Sequence, residues 1–276
     1  MLLQRAIIAL TLGPLALFLV YLGGWFFFIP LTGILLLASV EYVHMANKLN
    51  WHLSAWVLAP LVLAQFVAAW WPQLEIEGPL MLLSLFIIMV YALWLYERKN
   101  VQAAPAAWMG MIGGLMLFGW VAGHFFRLRG LDVEDAWKLT ILALVATWSA
   151  DSGAYLVGRF LAGNILGRHR LSPRLSPNKT VEGYLGGIVF GTAVTLIAAA
   201  VMQLPLIPAL IIGIIIGTLG TFGDLAISLL KRESGVKDSG TIFKEHGGAL
   251  DRIDSLIWSV AITYYLVLFL NRFIPL

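Results

Sequence analysis

Asp151, Asp224, Asp251 and Asp254 stand where an apolar chain has little reason to put acids. Asp151, in the stretch TWSADSGAY, and Asp224, in TLGTFGDLAIS, lie inside or at the end of long hydrophobic runs, and Asp251 and Asp254 precede the last one. An ionised carboxylate in hydrocarbon costs about 2.5–3.5 kcal/mol even on lenient insertion scales, so each acid calls for a wet cavity or a cation. Spacing sharpens the case. Asp224, Ser228 and Lys231 share one face of a helix, and Asp251 and Asp254 share a face of another. Carboxylates presented by two helix ends on one side of a membrane suit Mg²⁺, which takes one or two of them and fills its other positions with water and phosphate oxygens. A plain structural reading stands beside this one. Acids in the first turn of a helix meet the positive end of its dipole, and a buried acid need have no chemical role.

The basic residues nearby exceed what membrane topology requires. Lys231, Arg232, Lys237, Lys244 and Arg252 crowd the run KDSGTIFKEHGGALDRIDS and its approach, while Arg168, Arg170, Arg174 and Lys179 fill a neighbouring polar segment. Ammonium and guanidinium groups beside a carboxylate-held cation grip polyphosphate and stabilise charge on a transferring phosphoryl group. Gly247-Gly248 lets backbone N–H groups approach an anion at the start of the final helix, and equally reads as a simple turn. His246 is placed to serve as a general base or merely to orient that turn. In LSPRLSPNKTVEG the prolines stiffen a loop, Thr180 caps the next helix, and Lys179 is left just above the interface where a phosphate could sit. Glu41 and His44 end an early apolar run, where snorkelling or capping accounts for them.

The elements that must position these groups are membrane helices. The chain has 276 residues, 60% hydrophobic and 12% charged, whereas a soluble domain carries roughly twice that charge. Stretches long enough to cross a hydrocarbon layer run from Ala6 to Leu22, Trp25 to His44, Ala55 to Trp70, Pro79 to Tyr96, Ala106 to Phe126, Trp137 to Val157, Glu182 to Gln203, Leu206 to Leu230 and Leu256 to Ile274. They predict an all-α, polytopic helical bundle of about nine transmembrane helices. The first run lacks a small-x-small cleavage site and leads through Gly23-Gly24 into the next, so an uncleaved helical hairpin is expected. Without cysteine there is no thiol nucleophile, thiolate metal site or disulfide. A formal charge of +3 gives no argument for nucleic acid. With a cytoplasmic amino terminus, all but Arg127, Arg129, Lys138 and Arg272 of the 18 Lys and Arg residues fall on the cytoplasmic side, which sets the orientation and puts both polar segments there. No repeat or linker is visible. A single integral membrane domain is expected over 1–276, with 1–126 mostly structural and 127–276 carrying the chemistry. Glycine-rich helices in that second half allow close packing and leave room for a homodimer.

The run SLLKRESGVKDSGTIFKEHGGALDRIDS, Ser228 to Ser255, resembles the signature of the CDP-diacylglycerol synthases, or phosphatidate cytidylyltransferases. Ser228, Lys231, Arg232, Lys237, Asp238, His246, Gly247, Gly248, Asp251, Arg252 and Asp254 fall at its positions, and ADSGAYLVGR and SPNKTVEGYLGG extend the likeness upstream. Lys244-Glu245 replaces the usual Pro-Gly, and Ala249 a larger aliphatic residue. The resemblance implies an enzyme of phospholipid biosynthesis that transfers CMP from CTP to phosphatidic acid in a bacterial cytoplasmic membrane, with the site on the cytoplasmic face and release of pyrophosphate. It implies Mg²⁺ held by Asp224, Asp251 and Asp254, with Asp151 or Asp238 as further ligands, and allows a second, monovalent cation such as K⁺. Lys231, Arg232, Lys237, Arg252 and Lys179 would neutralise phosphate charge, and Ser228, Gly247, Gly248 and Arg174 would contact substrate. Two other classes would also place acids in a membrane. A cation-coupled transporter predicts mid-bilayer acids and internal symmetry, and a CTP-dependent lipid kinase would transfer the γ-phosphoryl group instead.

Overall fold

The computed structural model describes residues 2–99, 102–133, 135–240 and 247–274, with side chains from residue 11 onward. In chain order the helices are α1 (Leu2–Leu22), α2 (Gly24–Asn47), α3 (Ala55–Trp70), α4 (Glu77–Lys99), α5 (Ala104–Arg129), α6 (Ala136–Leu161), α7 (Val181–Val201), α8 (Leu206–Glu233) and α9 (Leu250–Leu270). Among the described residues, α2 and α4 to α9 make seven helices long and apolar enough to cross a membrane, while Thr11–Leu22 and α3 are shorter apolar helices. The protein is therefore an integral membrane protein with an all-α, polytopic fold. Pro14, Pro30 and Pro60 lie within α1, α2 and α3, which membrane helices tolerate where neighbouring groups take up the freed carbonyls. Short π-helical stretches, Leu115–Val121 and Val157–Leu161, widen α5 and α6.

The polar segment expected to be a stiffened loop folds instead as an antiparallel hairpin, β1 (Arg170–Ser172) with β2 (Ser176–Thr180), pairing Arg170 with Thr180 and Ser172 with Ser176. Pro173 lies in its turn. Pro177 is tolerated in β2 because both strands of a two-stranded ribbon are edges. The ribbon delivers Thr180 to the start of α7, where its hydroxyl accepts from Gly183 N–H at 3.0 Å, the cap expected from the sequence.

The chain divides into two compact units, one of residues 1–23, 128–229 and 254–276, the other of 24–127 and 230–253. In the first, α6 and α7 lie in backbone contact. A Cβ at Gly187 would sit 2.7 Å from the Ala150 carbonyl oxygen, and one at Gly191 2.9 Å from Ala150 Cα. Further on, α8 meets α9 where a Cβ at Gly223 would sit 2.8 Å from the Asp254 carbonyl oxygen. Small residues let membrane helices gain dispersion contacts that lipid cannot match. The second unit is built on rings: Phe126 packs against Phe28 and Phe66 at centroid distances of 5.0 and 5.2 Å, and Trp70 lies 5.0 Å from Phe28. Tyr42 ties α2 to α5 by donating to the Gly110 carbonyl at 2.8 Å.

Replacing Gly191 by Leu should lower the thermal midpoint of the purified protein in detergent, an overpacking cost of about 1–3 kcal/mol. Gly33→Ala, where an added Cβ meets nothing within 4 Å, should leave the midpoint unchanged or slightly raised.

Candidate active site

The first unit encloses a cavity of ≈ 730 Å³ whose lining includes Asp151, Arg159, Arg168, Lys179, Thr221 and Asp224. All but Arg168, which lies between α6 and β1, come from elements already described. Asp151 and Arg159 project from the end of α6, Lys179 from β2, and Thr221 and Asp224 from α8. The hairpin is what brings Lys179 down, and its ammonium meets Asp224 Oδ2 at 2.5 Å. Ser228, one turn along α8, donates to Asp224 Oδ1 at 3.2 Å. The cavity thus gathers two acids, three cations and several neutral oxygens into one space whose remaining lining is apolar. Such a space is suited to a phosphate-bearing substrate and a hard cation.

The second unit carries the other half of the signature. Lys231 is buried at the end of α8, and its ammonium lies 2.7 Å from Asp251 Oδ1. Asp251 Oδ2 accepts from the Ser239 N–H at 2.8 Å and the Gly248 N–H at 2.9 Å, with the Ser239 hydroxyl oxygen 2.9 Å away. Gly247, at φ +78°, makes the turn that aims the Gly248 amide, and a Cβ there would strike Asp251 Oδ2 at 2.5 Å. The Gly-Gly pair therefore grips an anion, and that anion is the protein's own carboxylate.

The structure brings together Asp151, Asp224, Ser228 and Lys179 in one unit, and Lys231, Gly247, Gly248 and Asp251 in the other. Asp254 is half-buried in the first unit beside Gly223. Arg174 is exposed in the hairpin turn, and Lys237, Asp238 and Arg252 are exposed. Arg232 is exposed too, donating to the Val236 carbonyl at 3.4 Å. His246, Lys244 and Glu245 lie outside the described residues. Among the described residues, no three His, Cys, Asp or Glu side chains gather closely enough to hold a metal ion. One participant escaped the sequence reading. Glu41 does cap, as its place at a helix end suggested, but the helix it caps is α9, through Ala249 and Leu250 N–H groups at 2.9 Å each. A lone Glu near the end of an apolar run gives no signal of a partner some 200 residues away.

A polytopic membrane protein with this polar cavity has the build of an enzyme acting on phosphate-bearing substrates at a bilayer. Comparison with known proteins gives the family. The sequence model of the cytidylyltransferase family matches residues 3–270. A phosphatidate cytidylyltransferase of Synechocystis sp. is 31% identical over 97% of this chain and 97% of its own length. Proteins of the same name from Bacillus subtilis and Staphylococcus epidermidis are 36% and 32% identical, covering 68% and 75% of this chain and 65% and 74% of their own lengths. The chain belongs to the phosphatidate cytidylyltransferase (CDP-diacylglycerol synthase) family of nucleotidyltransferases.

Because Lys231 and Asp251 are both largely withdrawn from solvent, Lys231→Met should cost about 3–5 kcal/mol of stability by leaving a buried carboxylate without its cation. Thermal denaturation of the purified protein should show a smaller loss for the Lys231→Met/Asp251→Asn double variant, which removes both charges.

Proposed function

We propose that the protein transfers CMP from CTP to phosphatidic acid, giving CDP-diacylglycerol and pyrophosphate. The observation that carries this reading is the cavity in which Asp151 and Asp224 lie among Lys179, Arg159 and Arg168. A phosphatidate oxygen attacks the α-phosphorus of CTP in line. A new P–O bond forms, the bond from the α-phosphorus to the α–β bridging oxygen breaks, and pyrophosphate leaves with the electron pair. The nucleophile is already an anion, so no proton has to be removed. Positioning and electrostatic stabilisation then supply most of the rate. Lys179, Arg159 and Arg168 neutralise phosphate charge in the cavity, and Lys231, Arg232, Lys237 and Arg252 do so from the signature run.

The donor set fits Mg²⁺: Asp151 and Asp224, with the oxygens of Asn178 and Thr221 in the same lining, are hard ligands of the kind it prefers. Asp254, on the helix that meets α8 at Gly223, joins them in this proposal. Asp251, whose Oδ1 holds the Lys231 ammonium, would be the further ligand that the signature implies. When bound, the ion reduces the negative charge that builds on the transferring and leaving phosphoryl groups. A monovalent cation such as K⁺ is the second ion of the proposal. We further propose that α1 and α3 complete nine spans, with the amino terminus and the polar segments on the cytoplasmic face of a bacterial membrane. A homodimer, for which the glycine-rich helices leave room, belongs to the same proposal.

Purified protein incubated with Mg²⁺, phosphatidic acid and CTP labelled at the α-phosphorus should pass the label to the lipid. Label left wholly in CDP would indicate a lipid kinase, and no turnover would reopen the transporter. Asp254→Asn should abolish turnover while membrane insertion persists; near-normal turnover across a Mg²⁺ titration would remove it from the ligand set. Lys179→Met should lower kcat/KM for CTP by about ten- to a hundredfold, the worth of one charge-assisted contact.

A further inference from the structure

Glu41 lies in α2, in the part of the chain that looks like scaffold, yet it is 4% exposed and, among the described residues, its polar contacts are to the signature run. One carboxylate oxygen accepts from Ala249 N–H at 2.9 Å, and the other from Leu250 N–H at 2.9 Å and the Ser239 hydroxyl at 2.8 Å. Ser239 precedes residues 240–248 and Ala249 follows them. The acid therefore clasps both ends of that stretch while satisfying amides that the start of α9 leaves without intrahelical partners. Its seat is shaped for it. A Cβ on Gly240 or on Gly248 would collide with the Glu41 carboxylate, so both positions need glycine for the acid to enter.

The contacts continue beyond the clasp. The Ser239 hydroxyl that reaches Glu41 also lies 2.9 Å from Asp251 Oδ2, and Asp251 Oδ1 holds the Lys231 ammonium at 2.7 Å. A side chain of α2 is thereby linked through Ser239 and Asp251 to a cation assigned to phosphate neutralisation. We propose that Glu41 is a positioning residue for cytidylyl transfer: it holds Ser239 against the start of α9 and so fixes Asp251 and Lys231 in place. This rests on the function proposed above. Glu41 itself touches no reacting atom.

Glu41→Gln keeps the volume but presents an NH₂ group where one oxygen now accepts, so one backbone amide loses its partner. Ser239→Ala leaves Glu41 on Ala249 and Leu250, and the backbone N–H of position 239 on Asp251, but removes the hydroxyl that bridges the two acids. Amide hydrogen exchange at Ala249 and Leu250 in detergent, together with kcat and KM, tests both, with the exposed Glu97→Gln as control. Glu41→Gln should speed exchange at these amides and lower kcat by about tenfold, or 1.4 kcal/mol of barrier, with KM for phosphatidic acid and the thermal midpoint close to wild type. Ser239→Ala should lower kcat without speeding that exchange, and the double variant should lose less than the product of the single losses. Normal kcat in either folded single variant overturns the proposal, as does an activity loss that merely tracks a fall in thermal midpoint. If Glu41→Gln does not fold, Ser239→Ala alone decides. Absence of cytidylyl transfer by the wild type would sink the function reading, whereas unchanged exchange in Glu41→Gln would sink the clasp.

Discussion

Four acids of this protein are each met by groups that answer their charge, and much of the polar architecture follows from those contacts. Asp224 is met by Lys179, Asp251 by Lys231 and Glu77 by Arg127, at 2.5, 2.7 and 2.5 Å. Among the described residues Glu41 is met not by a cation but by two backbone amides and a hydroxyl. These are two solutions to one problem. A cation cancels the charge outright, whereas donated hydrogen bonds spread it into the backbone and, at the start of α9, into a helix dipole. The second solution fixes geometry more tightly, because amides in a helix cannot swing aside as a lysine can.

Close helix packing is the other condition. Asp151 and Asp224 sit on α6 and α8, with α7 packed against both: Gly187 and Gly191 receive Ala150 of α6, and Gly213 and Gly217 receive α7 at Thr192 and Ile188. Any side chain at these glycines would push the helices apart and widen the cavity between the acids. The glycines are thus part of the site's geometry without touching it.

Much of this was legible in the sequence because it is local. Apolar run length marks the helices, and the four- and three-residue spacing of Asp224, Ser228 and Lys231 puts them on one face, as the Ser228–Asp224 contact bears out. Thr180 reads as a cap and is one. What escaped is non-local or cooperative. The hairpin at 170–180 is too short for an alternating pattern, and its prolines argue for a loop. Glu41 carried no mark, since its contact with Ser239 spans 198 residues. Nor could spacing foresee that Asp251 would be saturated by Lys231, Ser239 and Gly248.

That saturation bears on how the site must work if it transfers a nucleotide. Lys179 and Lys231 are each engaged with a carboxylate, so neither ammonium can turn to a phosphate unless its acid is compensated in another way. In a low-dielectric setting an uncompensated carboxylate costs several kcal/mol. Under the proposed function, release of Lys179 would be coupled to arrival of positive charge at Asp224, leaving the ammonium available to a polyphosphate. That release also explains lysine rather than arginine at these positions: a compact charge on a flexible four-carbon stem can swing from carboxylate to phosphate, whereas a guanidinium held in a two-point fork with Asp224 would be slower to let go.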